Sequence, residues 1–552
     1  MTSIPSLPRS SAGGEPVRFS HEVAQVLAAP LTAGSTDVVT QPMTRPEAPE
    51  RPVVTPVTTA TAAAEPAPDP APGPRPVSLR SVLLGGLGSA FIALGGVGAG
   101  GVLVRDPLLA DTGFSWVRFG HGKDLATLLL YGGLALIVLA WVRLGRDVWA
   151  GRTSARGMLL AIGVWTLPLL IAPPLFSRDI YSYLAQGALA WQGYDPYVAG
   201  PIELSRGPLL ENVSWLWQNS PAPYGPLFIL IAKGVVALTG DSMILGVVLM
   251  RLALVSGLVL LCWALPRLAV RLGGKAPLAL WLAAANPLIL VHLVGGPHND
   301  LLMVGLLAAG VVFVLDRRFV LGIALVSLAV AVKATAALAL PFLVWMWAAR
   351  MAGSPRRRLG RAVAGGLAVF TGTFALTMLA AGVGLGWLHA LSNSSAVINW
   401  LSLPTAAGQL VHGLVSVFFT VDGGWFLGVA RTTGYLLLIA FGLRQWWLAR
   451  TGGKTAVHHA ALVLLAASVL SPTTFPWYFS WALVLAAGFA WSGRVVVGVV
   501  AASVWLLLVT YPTGESALYD WGYLAGAFAV SALAAASLVR PDPLRLRSSP
   551  VT

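Results

Sequence analysis

From residue 81 onward the chain is a succession of apolar runs broken by short polar or basic clusters. A helix needs roughly 20 apolar residues, with about 17 to 25 allowed, to cross the hydrocarbon of a bilayer. The pattern predicts spans near 81–104, 124–142, 157–175, 246–265, 277–294, 301–315, 319–334, 336–349, 362–383, 425–443, 457–471, 477–491, 495–510 and 521–539. Two further apolar stretches, 224–240 and 404–420, begin beside a proline and sit near the minimum length for crossing. Ahead of the runs, residues 1–78 carry 15 of the 38 prolines, with five basic and seven acidic residues. Such a segment cannot bury enough apolar surface to offset its ordering entropy, so it reads as a disordered cytoplasmic arm. A charged region followed at once by an apolar core is missing from its start, so no signal peptide is expected and the first span directs insertion.

Charge decides whether the two short stretches cross. If both stay on the outer side, the basic clusters at 143–156, 266–276, 316–318, 350–361, 444–454, 494 and 540–547 all become cytoplasmic, placing 21 Lys and Arg inside against seven in the outer loops. That is the asymmetry the positive-inside rule demands. Twelve of the 15 acids after the tail then lie outside. The expectation is 14 spans with both termini cytoplasmic. Composition agrees: 56% hydrophobic against 11% charged residues in 552 excludes a soluble core. The single cysteine, Cys262, lies in an apolar run and reads as packing, which excludes a disulfide scaffold. The net charge of +14 is scattered among membrane segments, so no nucleic-acid partner is expected.

This topology gathers the unusual residues in the outer loops 176–245, 295–300, 384–424, 472–476 and 511–520. In SRDIYSYLAQG, Asp179, Tyr183 and Gln186 fall at i, i+4 and i+7 and share a helical face. Asp179 has two readings. One is an N-cap for that helix; the other is a general base, because a desolvated carboxylate gains proton affinity and can take a proton from a hydroxyl. Asp195, in GYDPY, reads as a turn residue. The stretch 224–240 reads as an interfacial helix with Tyr224 and Phe228 inserted in the bilayer and Lys233 snorkelling.

GGPHND brings His298, Asn299 and Asp300 to the hydrocarbon boundary, where ionisable groups are costly and functional by default. Asp300 is suited to orienting a hydroxyl and His298 to donating to phosphate; the bland alternative is a capped helix start. An unpartnered Lys333 at the outer end of its span would cost about 2.5–3.5 kcal/mol, so it pairs either with a phosphate or with Asp300. In SPTTFPWYFSW, Trp477 and Tyr478 are interfacial anchors or sugar-stacking rings. The loop 384–424 adds Trp387, His389, Asn393, Asn399, Trp400 and Gln409, a mixture suited to an uncharged polyhydroxy ligand. Arg251 and Arg431, inside spans, pair with buried acceptors or snorkel. GxxxxGK[ST], HExxH and paired CxxC motifs are all missing, and the neighbouring His458 and His459 do not share a helical face as metal ligands would. With no nucleotide motif, an activated donor is expected to arrive attached to lipid.

The segments LLIAPPLFSRDIYSYLAQG, PAPYGPLF, WLAAANPLILVHLVGGPHND and SPTTFPWYFSW resemble GT-C glycosyltransferases. Within them they are most similar to the actinobacterial polyprenol-phosphate-mannose-dependent α-1,6-mannosyltransferases of lipomannan assembly, particularly the branch called MptB. The likeness covers about 80–540. It implies an all-α polytopic GT-C fold of about 14 transmembrane helices with a long first catalytic outer loop. It further implies a tail at 1–78, two accessory helices in 79–156, a catalytic module at 157–350, a C-terminal transmembrane module at 351–540 and a cytoplasmic tail at 541–552.

The implied reaction moves mannose, with inversion, from a polyprenyl phosphate mannose donor to a lipid-anchored α-1,6-mannan. This would build lipomannan and lipoarabinomannan at the extracytoplasmic face of the plasma membrane. Asp179 would be the base, Lys333 with Arg178 and His298 would hold the donor phosphate, and Tyr183, Gln186, Tyr224, Asn299, Asp300, Trp477 and Tyr478 would bind substrate. Asp300 has no acidic neighbour in the sequence, so neither a divalent metal nor another cofactor is expected. The rival function class is a lipid-linked sugar flippase or transporter, which 14 spans and charges at membrane depth also suit. Against it, 362–540 does not repeat the pattern of 157–349, and the polar residues cluster toward one face.

Overall fold

A computed structural model describes residues 77–541 and Pro543, apart from Asp111 and residues 392–396. The Pro-rich tail before residue 77, Asn393 and nearly all of the tail 541–552 lie outside the described residues. The described chain is helical, with one isolated β-bridge between Thr510 and Ser516. Helices α1 (Leu79–Ala99), α2 (Gly120–Trp149) and α3 (Ala155–Leu170) come first. Helices α4 (Asp179–Trp191) and α5 (Pro226–Thr239) follow within the long segment between α3 and α6 (Met243–Leu272). The chain continues through α7 (Asp300–Leu315), α8 (Phe319–Val332), α9 (Leu340–Ala348) and α10 (Pro355–Ala381). Helices α11 (Leu403–Ser416), α12 (Gly423–Leu448) and α13 (Gly453–Leu470) lead to the short α14 (Ser480–Ala486), then α15 (Gly493–Leu508) and α16 (Trp521–Val539).

Local chemistry sets several of these ends. Ser154 and Ser242 accept the amides of Gly157 and Leu245 at the starts of α3 and α6, and Gly273, at φ 94°, closes α6. Among the described residues seven helices are long and apolar enough to cross a membrane, α1, α2, α6, α10, α12, α13 and α16, and six shorter apolar helices of 10–17 residues accompany them. All the blocks between 79 and 540 pack into one compact unit. The rings of Trp141 and Trp281 stack at 4.9 Å, and each indole N–H donates to the other's backbone carbonyl, fastening α2 to the residues after α6.

Three expectations change. The predicted span at 277–294 is a pair of helical pieces, Ala276–Ala284 and Ile289–Gly295, bent by 53°. Pro287 lacks an amide hydrogen, and Asn286 serves the break: its Oδ1 accepts the Leu288 amide and its Nδ2 donates to Leu282 O and Ser503 Oγ. The predicted span at 477–491 holds only a 3₁₀ turn, Pro476–Phe479, and the seven residues of α14, beyond which the Gly488 carbonyl accepts the Gly274 amide. Helix α5 does not offer Tyr224 and Phe228 to lipid. Phe228 is fully buried, and its ring, that of Tyr224 and that of Tyr183 in α4 pack edge to face in a mutual cluster.

Helix α7, which begins at Asp300, is seated against α6 by glycines. A Cβ on Gly257 would lie 2.1 Å from Leu301 O, and one on Gly305 would lie 2.4 Å from Gly257 O. The helices therefore touch backbone to backbone, as small residues permit in membranes. We expect Gly305→Val to cost about 1–3 kcal/mol through overpacking and to lower the melting temperature of detergent-purified protein. Gly163→Ala in α3, where an added methyl meets nothing within 4 Å, should leave melting unchanged or raise it by the equivalent of about 0.5–1 kcal/mol.

Candidate functional site

The chain enters the site through a strained turn. Phe176 adopts φ 59°, a left-handed conformation costing a non-glycine residue about 1–3 kcal/mol. It is held there by its amide on Pro512 O (2.9 Å), by the neighbouring Leu175 amide on Gly295 O (3.2 Å), and by complete burial of its ring. Three residues later Asp179 opens α4. The Asp179 amide donates to Ser177 Oγ at 3.0 Å, while its carboxylate caps no amide. The N-cap reading of Asp179 therefore gives way, and the carboxylate is left facing open space with its side chain 27% exposed.

That space is a pocket of 180 Å³ whose wall includes Asp179, Ser182, Gln186, Tyr224, Lys333, Thr473, Trp477, Tyr478 and Trp481. Segments far apart in sequence meet there. Tyr224 reaches it because Gly225 lies against the end of α8: a Cβ on Gly225 would stand 2.4 Å from Ala331 O, and the Gly225 amide donates to Val332 O. Burial first, then nearby negative groups, push the Tyr183 and Tyr224 hydroxyls well above the ordinary phenol range, so both stay neutral hydrogen-bonding groups.

Lys333 follows α8 and directs its ammonium at both oxygens of Asp300, 2.9 and 2.8 Å away. Asp300 is fully buried, and its Oδ1 also accepts the Trp481 indole N–H at 2.6 Å. The Lys333 ammonium lies 4.7 Å from the Tyr478 ring and 5.6 Å from that of Trp481. Of the two partners the sequence left open for Lys333, Asp300 is the one in contact. An ammonium has three donors, so two bonds to Asp300 leave one for the pocket.

The predicted site residues divide. Asp179, Gln186, Tyr224, Lys333, Trp477 and Tyr478 line the pocket. Tyr183, Asn299 and Asp300 are buried behind it. His298 does not join Lys333: it is fully buried, its Nδ1 is 3.5 Å from Asp179 Oδ2, and its ring stacks on Trp477 at 3.7 Å. Arg178 does not either. Its guanidinium donates to Val102 O and to Asn212, and it lines a different cavity, which Asp179 also borders. Trp477 is only 5% exposed and packs against Phe475 as well as His298, so most of its ring is unavailable for stacking on a sugar.

Trp481 and Tyr435 were missed. The first carries a signal, standing four residues after Trp477 and hence one helical turn away; Tyr435 sits in an apolar run with nothing to mark it. Among the described residues no group of three or more His, Cys, Asp or Glu side chains is placed to hold a metal ion. Arg251 and Arg431 both find buried acceptors. Arg251 donates to Leu170 O, Val294 O and Gly295 O, and Arg431 to Thr405 Oγ1 and Val397 O.

Comparison with known proteins gives the site a family. The model described as Alpha-(1->6)-mannopyranosyltransferase, N-terminal domain, matches residues 82–349, and that described as MptB C-terminal domain matches residues 404–540. The chain is 43% identical over 442 residues to alpha-(1->6)-mannopyranosyltransferase A of Mycobacterium tuberculosis, covering 79% of this chain and 86% of the relative. It is 34% identical to alpha-(1->6)-mannopyranosyltransferase A of Corynebacterium glutamicum, over 78% of this chain and 92% of the relative. To alpha-(1->6)-mannopyranosyltransferase B of the same organism it is 31% identical, over 78% and 76%. No solved structure matches. Asp179, Gln186, Tyr224, Lys333, Trp477, Tyr478 and Trp481 fall within the two matched regions, and the chain belongs to the alpha-(1->6)-mannopyranosyltransferase family.

Proposed function

We propose that this protein is an inverting α-1,6-mannosyltransferase that takes mannose from a polyprenyl phosphate and adds it to a lipid-anchored α-1,6-mannan, in the assembly of lipomannan and lipoarabinomannan. The observation that carries the reading is one carboxylate, Asp179, that caps nothing and faces a pocket shared with the ammonium of Lys333. In the proposed step the acceptor's 6-hydroxyl oxygen attacks C1 of a β-linked mannosyl phosphate, and its proton passes to Asp179. The C1–O bond breaks with its electron pair leaving on the polyprenyl phosphate, and the free donor of Lys333 offsets that charge. His298, in contact with Asp179, acts on the base and not on the phosphate. The reading requires no metal and no nucleotide.

The names of the relatives support the sugar and the linkage. Membrane topology is part of the same proposal: a GT-C fold of 14 passes in the plasma membrane, both termini cytoplasmic and the site extracytoplasmic. Support comes from the pocket itself. Asp179, Lys333, Thr473 and Trp477 belong to separate loops or span ends that charge asymmetry assigns to the outer side, and they converge on one cavity.

Asp179→Asn should lower turnover of polyprenyl phosphomannose with short α-1,6-mannosides by about 10²–10⁴-fold while the protein stays monodisperse; undiminished transfer would remove the base assignment. Lys333→Ala leaves Asp300 buried without its cation, so a loss of about 3–5 kcal/mol is expected, read as a lower melting temperature. Asp300→Asn combined with Lys333→Ala should recover much of that stability without restoring turnover.

A further inference from the structure

Asp179 borders two cavities, and the transfer reaction needs only one of them for the donor head group. The pocket holding Lys333 encloses 180 Å³, below the ~300–1,000 Å³ of most small-molecule sites. The second cavity, 830 Å³, adjoins the first and shares Asp179, Trp217, Phe475 and Trp477 with it. The rest of its wall comes from residues that the first pocket does not use, among them those after α1, 213–216, 397–401 and 510–519.

The chemistry of this second cavity is that of a neutral polyhydroxy ligand. Arg118, Lys123 and Arg178 balance Asp179, Glu211 and Glu515, so the lining has no excess charge to hold a polyanion. Arg118 is further engaged with Asp106 at 3.1 Å. Two polar atoms on the wall lack partners: Asn399 Oδ1, on a residue 5% exposed, and Thr513 Oγ1. A buried acceptor without a donor is costly, and a sugar hydroxyl satisfies it. Trp215, 81% exposed, and Tyr519, 53% exposed, present aromatic rings at the same cavity, the surfaces on which the apolar faces of pyranose rings pack.

We propose that this second cavity is a multi-unit saccharide cleft that binds the acceptor glycan, with its growing end at Asp179 and the preceding sugars along Asn399, Thr513 and Trp215. This rests on the transferase reading for its direction, but saccharide binding is measurable without turnover. Lys333 lines the first pocket and not this cleft, which separates a charged donor head group from a neutral acceptor chain.

The test is titration of the full-length detergent-purified protein with α-1,6-mannotetraose and α-1,6-mannobiose by calorimetry or saturation-transfer NMR, for wild type, Trp215→Ala and Thr513→Val. The isosteric Thr513→Val guards against loss of fold. Tetraose should bind wild type more tightly than biose, and each substitution should weaken tetraose by about five- to tenfold and biose by less. Turnover assays should show the same length dependence in the KM for acceptor, with the KM for donor unmoved. Equal affinities for the two saccharides, or tetraose affinity untouched by both substitutions, overturns the cleft even if Asp179→Asn abolishes transfer. If Trp215→Ala alters only membrane retention, the ring is a bilayer anchor and the inference falls. Tetraose binding that depends on Trp215 in a wild-type protein that transfers no mannose supports the cleft and overturns the transferase reading instead.

Discussion

A carboxylate with no exposure to solvent persists in a membrane-embedded protein only if its charge is answered on the spot, and Asp300 is answered twice, by Lys333 and by the indole of Trp481. Those bonds tie the start of α7, the end of α8 and α14 into one knot. Everything on that side of the pocket follows from it. Lys333 is drawn to the rim beside Tyr478, and the aromatic run after α13 is fixed so that Trp477 covers His298. The pair also holds a cation near the proposed leaving group without leaving it unpaired before substrate arrives.

Asp179 is held by a separate set of constraints. The guanidinium of Arg251, fully buried in α6, takes carbonyls at the end of α3 and at Val294 and Gly295, where two helical pieces stop and leave acceptors unsatisfied. It thereby joins the segment leading to Asp179 to the one leading to His298. The left-handed Phe176 then turns the chain so that α4 starts with its first carboxylate facing the pocket. Strain at that residue is sustained by burial and two backbone bonds, the kind of over-determination that keeps a reactive group in place.

Much of this was legible in the residues. Among the described residues thirteen apolar helices of ten or more residues fall on predicted runs, α5 at a proline-led stretch included, with several ends displaced by one or two turns, and α11 occupies the other proline-led stretch. The broken span at Asn286–Pro287 was visible as a proline, but a proline inside a membrane helix kinks it or passes unnoticed depending on what satisfies the freed groups, and that partner, Ser503, lies 217 residues away. Asp179, Lys333 and Asp300 stood out because ionisable groups at a membrane boundary are rare.

Residue types and spacing by themselves determined that the chain is helical and membrane-embedded, and that an aspartate, a lysine and an aromatic run are its chemically unusual points. They do so because apolar run length and the cost of an ionisable group at hydrocarbon depth are local quantities. Which groups face one another was decided only by the tertiary structure. The family resemblance grouped Arg178 and His298 with Lys333, yet the Val102 and Asn212 carbonyls accept from the first, and the second lies between Asp179 and Trp477. A cation's partner in a low-dielectric interior is whichever acceptor packing brings within 3 Å, and packing between segments hundreds of residues apart leaves no trace in the spacing of either.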